Sequence, residues 1–186
     1  MTYLPSLAGD ASLIDVFKAH PQVGAAIMML NDAVLRQPAP FSPAEREAIA
    51  AYVSQINACQ YCGALHADAA TKLGMDQGDV AAICQRPEAP PDPRLAPVLT
   101  YVAKLTTQPT SVTQADVQRI LDAGWDEGAV SFAAFVAGVY AMMNRVVDGH
   151  GITIAADKVD ASGKRLTDLG YAGIAKMIGA KMIGGQ

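Results

Sequence analysis

Two cysteines and a histidine lie close together in the segment 57–68, which has the sequence NACQYCGALHAD. Cys59 and Cys62 are three positions apart, and His66 follows Cys62 by four. On a helix that begins near Cys59, residues three or four positions apart share a face, so the thiols and the imidazole would converge. The first turn of a helix also favours a thiolate, because its free N–H groups and the helix dipole lower the pKa of a cysteine.

Three kinds of site are compatible with this cluster. In a dithiol redox site, one cysteine attacks an oxidant and the second resolves the sulfenic acid to a disulfide. A metal site would use Cys59, Cys62, His66 and a carboxylate, but structural zinc usually takes a second ligand pair from a distant segment. Cys84 is isolated, and no such pair is present. Unreactive buried thiols are the third possibility. Spacing favours the redox site and leaves the other two open.

A carboxylate on the preceding helix extends the candidate site. Glu47 lies twelve residues before Cys59. Glu45 stands three residues after Ser42, where a capping box uses a glutamate, so Glu47 is the carboxylate expected to face inward. Beside His66 it would orient the ring and raise its basicity, and the ring could then take a proton from a thiol directly or through water.

The elements that must position these residues are predicted to be helices, and no convincing strand pattern occurs. Apolar residues recur at helical spacing between Ser, Thr or Asp caps and Gly or Pro breaks. A polar loop, DKVDASGKR, and a glycine-rich tail are expected near the end. We therefore predict one all-α domain, with N-terminal helices in 1–40, a core in 41–152 and a C-terminal tail in 153–186. The predicted helices are LIDVFKAH, VGAAIMMLNDAVLRQ, PAEREAIAAYVSQI, CQYCGALHADAATKLG, QGDVAAICQR, RLAPVLTYVAKLTTQ, VQRILDAG and an apolar helix from Asp126 to about Val147.

An internal similarity joins two parts of the chain. LGMDQGDV (73–80) and AGWDEGAV (123–130) match at Gly, Asp, Gly and Val, fifty positions apart. Each reads as a helix stop followed by an aspartate cap. Such joints resemble one another in many helical proteins, and an internally duplicated helical unit is the alternative. Since the second copy has no C-x-x-C, only one half would carry the chemistry.

Composition excludes some classes of function. The net charge is −4 and no basic cluster occurs, which disfavours nucleic-acid binding. The most apolar run, 129–143, is shorter than the roughly 20 residues of a membrane span, and no secretory pattern is visible. A cytoplasmic location is therefore expected. Three cysteines cannot all pair within the chain, and in a reducing cytosol cysteines are more often metal ligands, catalytic groups or core residues than disulfides. An apolar content of 51% favours a homo-oligomer, whose interfaces would bury part of that surface. An Ala-rich helical core is the alternative explanation.

The spacing of these residues matches a known signature. Glu47, eleven residues, Cys59-Gln60-Tyr61-Cys62, three residues and His66 resemble the AhpD-like alkylhydroperoxidases of the carboxymuconolactone decarboxylase superfamily. The whole segment SPAEREAIAAYVSQINACQYCGALH (42–66) is similar, and MNRVVDGHGI (143–152) resembles a later helix end of the peroxidase-related subgroup. The resemblance covers roughly 40–152. It implies an AhpD-like all-α fold that forms trimers or hexamers.

The resemblance also implies roles for individual residues. Cys62 would be the peroxidatic cysteine, which its i+4 relation to His66 also favours, and Cys59 would resolve it. Glu47 and His66 would form the proton relay, and Tyr61 would shape the substrate pocket. The implied antioxidant enzyme reduces alkyl or hydrogen peroxide and is reset by a lipoyl-like or other thiol donor, with no metal or cofactor. The alternative is a non-catalytic redox sensor or binding protein of the same fold.

Overall fold

The computed structural model describes residues 2–179, and this part of the chain is all-helical. The predicted all-α class is therefore confirmed. A short 3₁₀ turn at Pro109–Ser111 is the remaining regular element of these residues. The helices are α1 (Leu13–Ala19), α2 (Pro21–Leu35), α3 (Pro43–Ile56), α4 (Gln60–Lys72), α5 (Gln77–Gln85), α6 (Leu95–Thr107), α7 (Gln114–Asp122), α8 (Glu127–Gly149) and α9 (Ala156–Gly179).

The helix that carries Glu47 begins at the predicted capping box. The backbone N–H of Ser42 donates to Oε2 of Glu45 at 2.7 Å, and the Ser42 hydroxyl accepts from the Glu45 N–H at 3.2 Å. Pro43 occupies the first helical position, where its missing N–H costs nothing. These contacts fix the start of α3 and hence the register that turns Glu47 inward.

The two similar segments form the same local structure. Gly74 and Gly124 end their helices with φ values of +101° and +90°, a conformation that favours glycine. Asp76 and Asp126 then cap the next helices by accepting from the N–H groups of Gly78 and Ala129. The joints are therefore alike, and duplication of a complete unit stays a prediction.

The expectation of a polar loop over DKVDASGKR is wrong. Residues 156–179 form α9, which packs on α2 and α4. Gly163 lies at the contact with α4, where an added Cβ would stand 1.7 Å from Oδ2 of Asp68. A glycine that resembles a helix breaker in the sequence is thus required for close approach of two helices. Residues 180–186 of the predicted tail lie outside the described residues.

A kink in α9 directs one tyrosine into the core. Gly170 has non-helical torsions, φ 64° and ψ 170°, so the N–H of Ala172 lacks its helical acceptor. Oδ1 of Asp32 on α2 accepts from this N–H at 3.2 Å, as a helix cap would. Tyr171 is 2% exposed and packs beneath α2 as a result.

The longest helix before α9 is a core element. α8 packs against α3 and α6, and Val136 and Tyr140 are fully buried on its inner face. By length and composition alone it would also be able to cross a membrane, although 44% of its 18-residue apolar stretch is buried inside the fold. Its inner face supplies two residues of the site, Tyr140 and Asn144.

Candidate active site

The cysteine pair sits at the start of α4, after a sharp turn. Ala58 has φ +59°, a left-handed conformation that costs a non-glycine residue about 1–2 kcal/mol. The N–H of Cys59 then donates to the carbonyl of Ser54 at 2.9 Å. Cys59 is the N-cap residue of α4 and Cys62 lies in its first turn. Both thiols are free, and each residue is 1% exposed.

Glu47 and His66 are in direct contact, as predicted. Nδ1 of His66 lies 2.6 Å from Oε2 of Glu47, and the two residues are 4% and 0% exposed. With the carboxylate ionised, Nδ1 carries a proton, so Nε2 of the neutral ring is the nitrogen able to accept one. The structure thus brings the predicted base and its orienting group together. A proton relay through them stays a prediction.

Two residues that the sequence did not single out hold the other oxygen of this carboxylate. Arg36, at the end of α2, donates from Nη2 to Oε1 of Glu47 at 2.5 Å. The hydroxyl of Tyr171 donates to the same oxygen at 3.0 Å. The guanidinium also lies over the Tyr171 ring, 4.8 Å from its centroid. Arg36 is in turn positioned by the buried Arg46, whose guanidinium donates to the carbonyls of Val34 and Gln37.

A chain of polar side chains extends this network across the core. The Tyr140 hydroxyl lies 3.3 Å from that of Tyr171 and 3.4 Å from Nδ1 of His66, and it donates to Oδ1 of Asn31 at 3.1 Å. The rings of Tyr140 and His66 meet edge to face, with centroids 4.5 Å apart. Every buried side-chain nitrogen and oxygen of the described residues has a partner. The imidazole is therefore held in one orientation.

The charge state of Glu47 follows from these contacts. Complete burial disfavours the carboxylate. The His66 ring and the Arg36 guanidinium outweigh that cost, so the pKa of Glu47 is lowered from its ordinary value. Burial raises the pKa of Tyr140 and Tyr171 well above the ordinary value. Glu47 is consequently a fixed anion, and both tyrosines act as neutral hydrogen-bond donors.

The pKa values of the two thiols are shifted in opposite directions. A hydrogen bond from Cys62 lowers the pKa of Cys59. The same bond, together with burial, raises the pKa of Cys62. A thiolate is therefore favoured on Cys59, and Cys62 must lose its own proton before it can attack.

Residues at the end of α8 border the cysteines. Asn144 hydrogen-bonds Cys62 and favours its thiolate, whereas Asp148 accepts from Cys59 and disfavours the thiolate there. Asn144 is 2% exposed and is fixed by Ser54 and Asn57, at 3.0 and 2.9 Å. Asn144 and Asp148 therefore face the cysteines.

The two cysteines face different spaces. Cys62 lines a cavity of about 90 Å³ together with His66, Tyr61 and Tyr140. Cys59 lies instead at an open groove of about 760 Å³ between α3, α4 and α5. Tyr61 thus borders the space at the predicted attacking sulfur, and burial raises its pKa to about 12. Cys84, which is isolated in the sequence, is half-buried and lines the groove.

No group of three His, Cys, Asp or Glu side chains with the geometry to hold a metal ion occurs in residues 2–179. Fold and site together define an all-helical protein with a buried dithiol beside a histidine–carboxylate pair.

Comparison with known proteins agrees with this class. The model of the carboxymuconolactone decarboxylase family matches residues 21–103. A crystal structure of an uncharacterized peroxidase-related protein from Silicibacter sp. TM1040 has 25% identity and a TM-score of 0.72, and the similarity covers 78% of this chain and 76% of that one. A search of curated proteins found no match.

A second solved structure shares the fold. It is titled alkylhydroperoxidase AhpD core, an uncharacterized peroxidase-related protein from Ralstonia eutropha JMP134. It has 18% identity and a TM-score of 0.71 over 80% of this chain and 78% of that one. The resemblance seen in the sequence is confirmed by the match of the carboxymuconolactone decarboxylase family model to residues 21–103, and the fold is AhpD-like.

Proposed function

We propose that the protein is a thiol-dependent peroxidase that reduces a small hydroperoxide through Cys62 and Cys59. The observation that carries the proposal is the shared cavity of Cys62 and His66, with His66 held at 2.6 Å by the ionised Glu47. A thiol, a basic nitrogen and its orienting anion are the parts that an activated cysteine nucleophile requires.

The reaction proceeds in two steps. The Cys62 thiolate attacks the terminal peroxide oxygen, the O–O bond breaks, and the alcohol or water leaves with a proton from His66. Cys62 is then a sulfenic acid. The Cys59 thiol then attacks its sulfur, the S–OH bond breaks, the hydroxyl leaves as water with the proton of Cys59, and the disulfide is complete. Two electrons pass from the dithiol to the peroxide, and a thiol reductant restores both thiols.

The size of the cavity supports a small substrate. About 90 Å³ corresponds to about three water molecules at roughly 30 Å³ each. Apolar side chains of α1, α2 and α9 line it, among them Ile14, Met28 and Leu166. Hydrogen peroxide and short alkyl hydroperoxides fit this volume, and the lining suits a short alkyl group.

Stopped-flow oxidation of the reduced protein by hydrogen peroxide, with a sulfenic-acid trap, tests the proposal. We expect Cys59→Ser to accumulate a trapped sulfenic acid on Cys62, and Cys62→Ser to react at least about hundredfold more slowly. Trapping on Cys59 in the Cys62→Ser variant at the wild-type rate would reverse the assigned roles. If peroxide forms no disulfide in the wild type, the peroxidase function is wrong.

Turnover separates an enzyme from a redox sensor. We expect many equivalents of peroxide to be consumed per protein chain when a dithiol donor is present, as a reducing cytoplasm would provide. Oxidation that stops after one equivalent in the presence of that donor would instead identify a sensor.

We further propose that the chain forms a homo-oligomer. Several large apolar side chains are exposed in the single chain, and Met29 and Leu30 on α2, at 50% and 44%, adjoin each other. Phe135 on α8 is 54% exposed. Light scattering on purified protein gives the subunit number directly, and a monomeric mass at micromolar concentration would contradict the proposal.

A further inference from the structure

Among the described residues that line the cavity at Cys62, one side chain, that of Arg165 on α9, is permanently charged. Arg165 is exposed, whereas Cys62 is 1% exposed and His66 is 4% exposed. The cavity therefore extends from a cation in contact with solvent to the buried sulfur that the proposed reaction uses. The chemistry at the exposed end can select among peroxides that all react at the buried end.

The register of α9 presents Arg165 to this cavity. Ser162, Arg165 and Leu166 are three and four positions apart, so they share one face of the helix, and all three line the cavity. Leu166 is 5% exposed and holds this face against the core. Lys164, the neighbour of Arg165, lies outside the lining and pairs with Asp168. The position of Arg165 is thus set by a packed helix.

The guanidinium of Arg165 has no carboxylate partner within residues 2–179. None of the ion pairs of this part of the chain includes it. Asp15 on α1 is near enough for Arg165 to contribute to its lowered pKa, but hydrogen bonds from Ser12 are the main cause. Oδ2 of Asp15 accepts from the N–H and the hydroxyl of Ser12, at 2.9 and 2.7 Å. The charge of Arg165 therefore remains available to a ligand.

The side chains around Arg165 suit a ligand with one charged end. Burial raises the pKa of Tyr61 to about 12, and the Arg165 guanidinium partly offsets this rise, so the cation acts on the same cavity wall as Tyr61. Most of the lining is apolar, with Ile14, Met28 and Leu65 among its members. A molecule in the cavity would meet a cation at the exposed end and apolar walls on the way to the thiol.

We propose that Arg165 binds substrate, and that the preferred oxidant is a short hydroperoxide with a carboxylate at its other end. This assignment rests on the proposed peroxidase function. A guanidinium binds a carboxylate through two parallel N–H donors, and an exposed cation attracts anions from solvent. One unpaired cation matches one negative charge. A phosphate ester, with about 1.5 to 2 negative charges at pH 7, would leave charge uncompensated near Asp15.

The size of the cavity limits the distance between the two ends of the substrate. About 90 Å³ holds the peroxide group and a short aliphatic spacer, while the carboxylate stays at the exposed end. The Cys62 thiolate attacks the terminal peroxide oxygen, the O–O bond breaks, and the hydroxy acid leaves with a proton from His66. Cys62 becomes the sulfenic acid. The carboxylate takes no part in these bond changes, and its contact with Arg165 raises the rate by holding the substrate in one orientation.

A matched pair of peroxides measures the contribution of the carboxylate. We compare 3-hydroperoxypropanoate with its methyl ester in stopped-flow oxidation of the reduced protein. Each rate is divided by the rate of the same peroxide with a free thiol, and the quotient of the two corrected rates is the carboxylate preference. We expect a preference of about fivefold at low salt, the upper end for an exposed ion pair. It should fall as added salt screens the charges.

Substitutions on α9 assign this preference to one residue. Arg165→Gln should lower the carboxylate preference to about one, whereas Arg165→Lys should keep part of it, because an ammonium group retains the charge without the two parallel donors. Lys164→Gln is the matched control, since it removes one positive charge at the neighbouring exposed position, outside the cavity lining. It should keep the wild-type preference. Thermal unfolding of each variant confirms that folded proteins are compared.

Two results would overturn the carboxylate site and leave the peroxidase function standing, because both peroxides would still form the disulfide. The first is a wild type that oxidises at equal corrected rates with the acid and the ester, or a preference that Arg165→Gln does not change. The second is an equal loss of preference in Lys164→Gln and Arg165→Gln, which would trace the effect to the general charge of α9.

Binding of an unreactive probe separates the site from the reaction. In pentanoate, two carbon atoms replace the peroxide oxygens of 3-hydroperoxypropanoate. We expect pentanoate to slow the alkylation of Cys62 by iodoacetamide in the wild type, and Arg165→Gln to abolish this protection. If neither peroxide oxidises the cysteines but pentanoate protects Cys62 through Arg165, the peroxidase function fails and the carboxylate site stands. Absence of protection in the wild type would overturn the site.

Discussion

Arg36 and His66 bind opposite oxygens of one carboxylate. Nη2 of Arg36 lies 2.5 Å from Oε1 of Glu47, and Nδ1 of His66 lies 2.6 Å from Oε2. The Tyr171 hydroxyl also donates to Oε1, so both oxygens of Glu47 have hydrogen-bond partners. The pKa of Glu47 is lowered. A carboxylate held in this way stays ionised and orients the imidazole. Arg36 is thus a positioning residue that acts through Glu47.

Replacing Arg36 by methionine tests this role. The variant retains most of the apolar stem but leaves Glu47 with fewer partners, and loss of one member of a buried pair costs about 3 kcal/mol in unfolding free energy. Because a cause of the lowered Glu47 pKa is removed, that pKa rises, and the acid limb of the oxidation rate moves to higher pH. We expect oxidation at pH 7 to fall about tenfold, less than for loss of the base itself.

Arg36→Lys is the matched control, because it keeps the cation. It should restore the acid limb toward its wild-type position, although one ammonium group cannot reproduce the geometry of a guanidinium. A pH profile of Arg36→Met identical to that of the wild type, with only lower stability, would show that Arg36 is merely structural.

Glu47→Gln should change the pH dependence of stability in a defined direction. The folded-state pKa of Glu47 is lower than its ordinary value, so its ionisation stabilises the fold above the ordinary pKa, and this contribution is lost as pH falls through the folded pKa. Urea denaturation from pH 7 down to pH 3 should therefore show a wild-type advantage that narrows toward acid. An advantage that stays constant over this range would mean that the carboxylate is not preferentially ionised in the fold.

The sequence was sufficient for the residues whose positions depend on local rules. Cys62 and His66 are related by one helical turn, and Glu47 is set by the capping box that starts α3. Those constraints act within a helix or across one turn, and capping and helical periodicity describe them well. The structure accordingly places all three residues at one site.

Arg36 and Tyr171 could not be found in this way. Arg36 lies at the end of α2, where no sequence motif marks it as a site residue. Tyr171 is 124 residues from Glu47 in the chain. The segment before Tyr171 has the polar and glycine-rich composition of a loop, and its helix is stabilised by tertiary packing on α2 and α4. Gly163 illustrates the reason. A side chain at this position would clash with Asp68, and only the fold reveals that the two residues are so close.

The opposite pKa shifts of the two thiols give a third prediction. The hydrogen bond from Cys62 is the main cause of the lowered pKa of Cys59. Cys62→Ala removes that donor, so the pKa of Cys59 should rise, whereas Cys62→Ser retains an O–H donor and should keep it low. The rate of alkylation by iodoacetamide, followed against pH by peptide mass spectrometry, gives this pKa. A Cys84→Ser background removes the third thiol, whose pKa burial raises to about 11.

Identical titrations of Cys59 in the alanine and serine variants would contradict the assigned hydrogen bond. A lower pKa in Cys62→Ala than in the wild type would do so more strongly, since it would mean that Cys62 opposes the Cys59 thiolate.

The small cavity predicts selectivity for short hydroperoxides. With about 90 Å³ at Cys62, cumene hydroperoxide should oxidise the protein about tenfold more slowly than hydrogen peroxide, after correction for their rates with a free thiol. Met28→Val enlarges the cavity from α2 and should speed the bulky substrate more than the small one. Equal corrected rates for both peroxides in the wild type would show that the cavity does not limit access.

The packing of α1 on α2 gives a prediction that connects stability with the site. A Cβ on Gly24 would lie 2.5 Å from Cβ and 2.9 Å from Cα of Phe17, so relief of the clash in Gly24→Ala requires movement of the α1 backbone. Overpacking of this kind costs about 1–3 kcal/mol in unfolding free energy. Since Leu13 and Ile14 of α1 line the cavity at Cys62, peroxide oxidation should change together with stability.

Gly138→Ala provides the comparison, because Gly138 is exposed on α8 with no atom within 4 Å of the added methyl group. Alanine there should stabilise the helix by up to about 1 kcal/mol and leave oxidation unaffected. Chemical denaturation and stopped-flow oxidation of both variants give the two quantities. Equal stability of the two variants would show that α1 does not press on α2 at Gly24. A destabilised Gly24→Ala with wild-type oxidation would show that α1 does not shape access to Cys62.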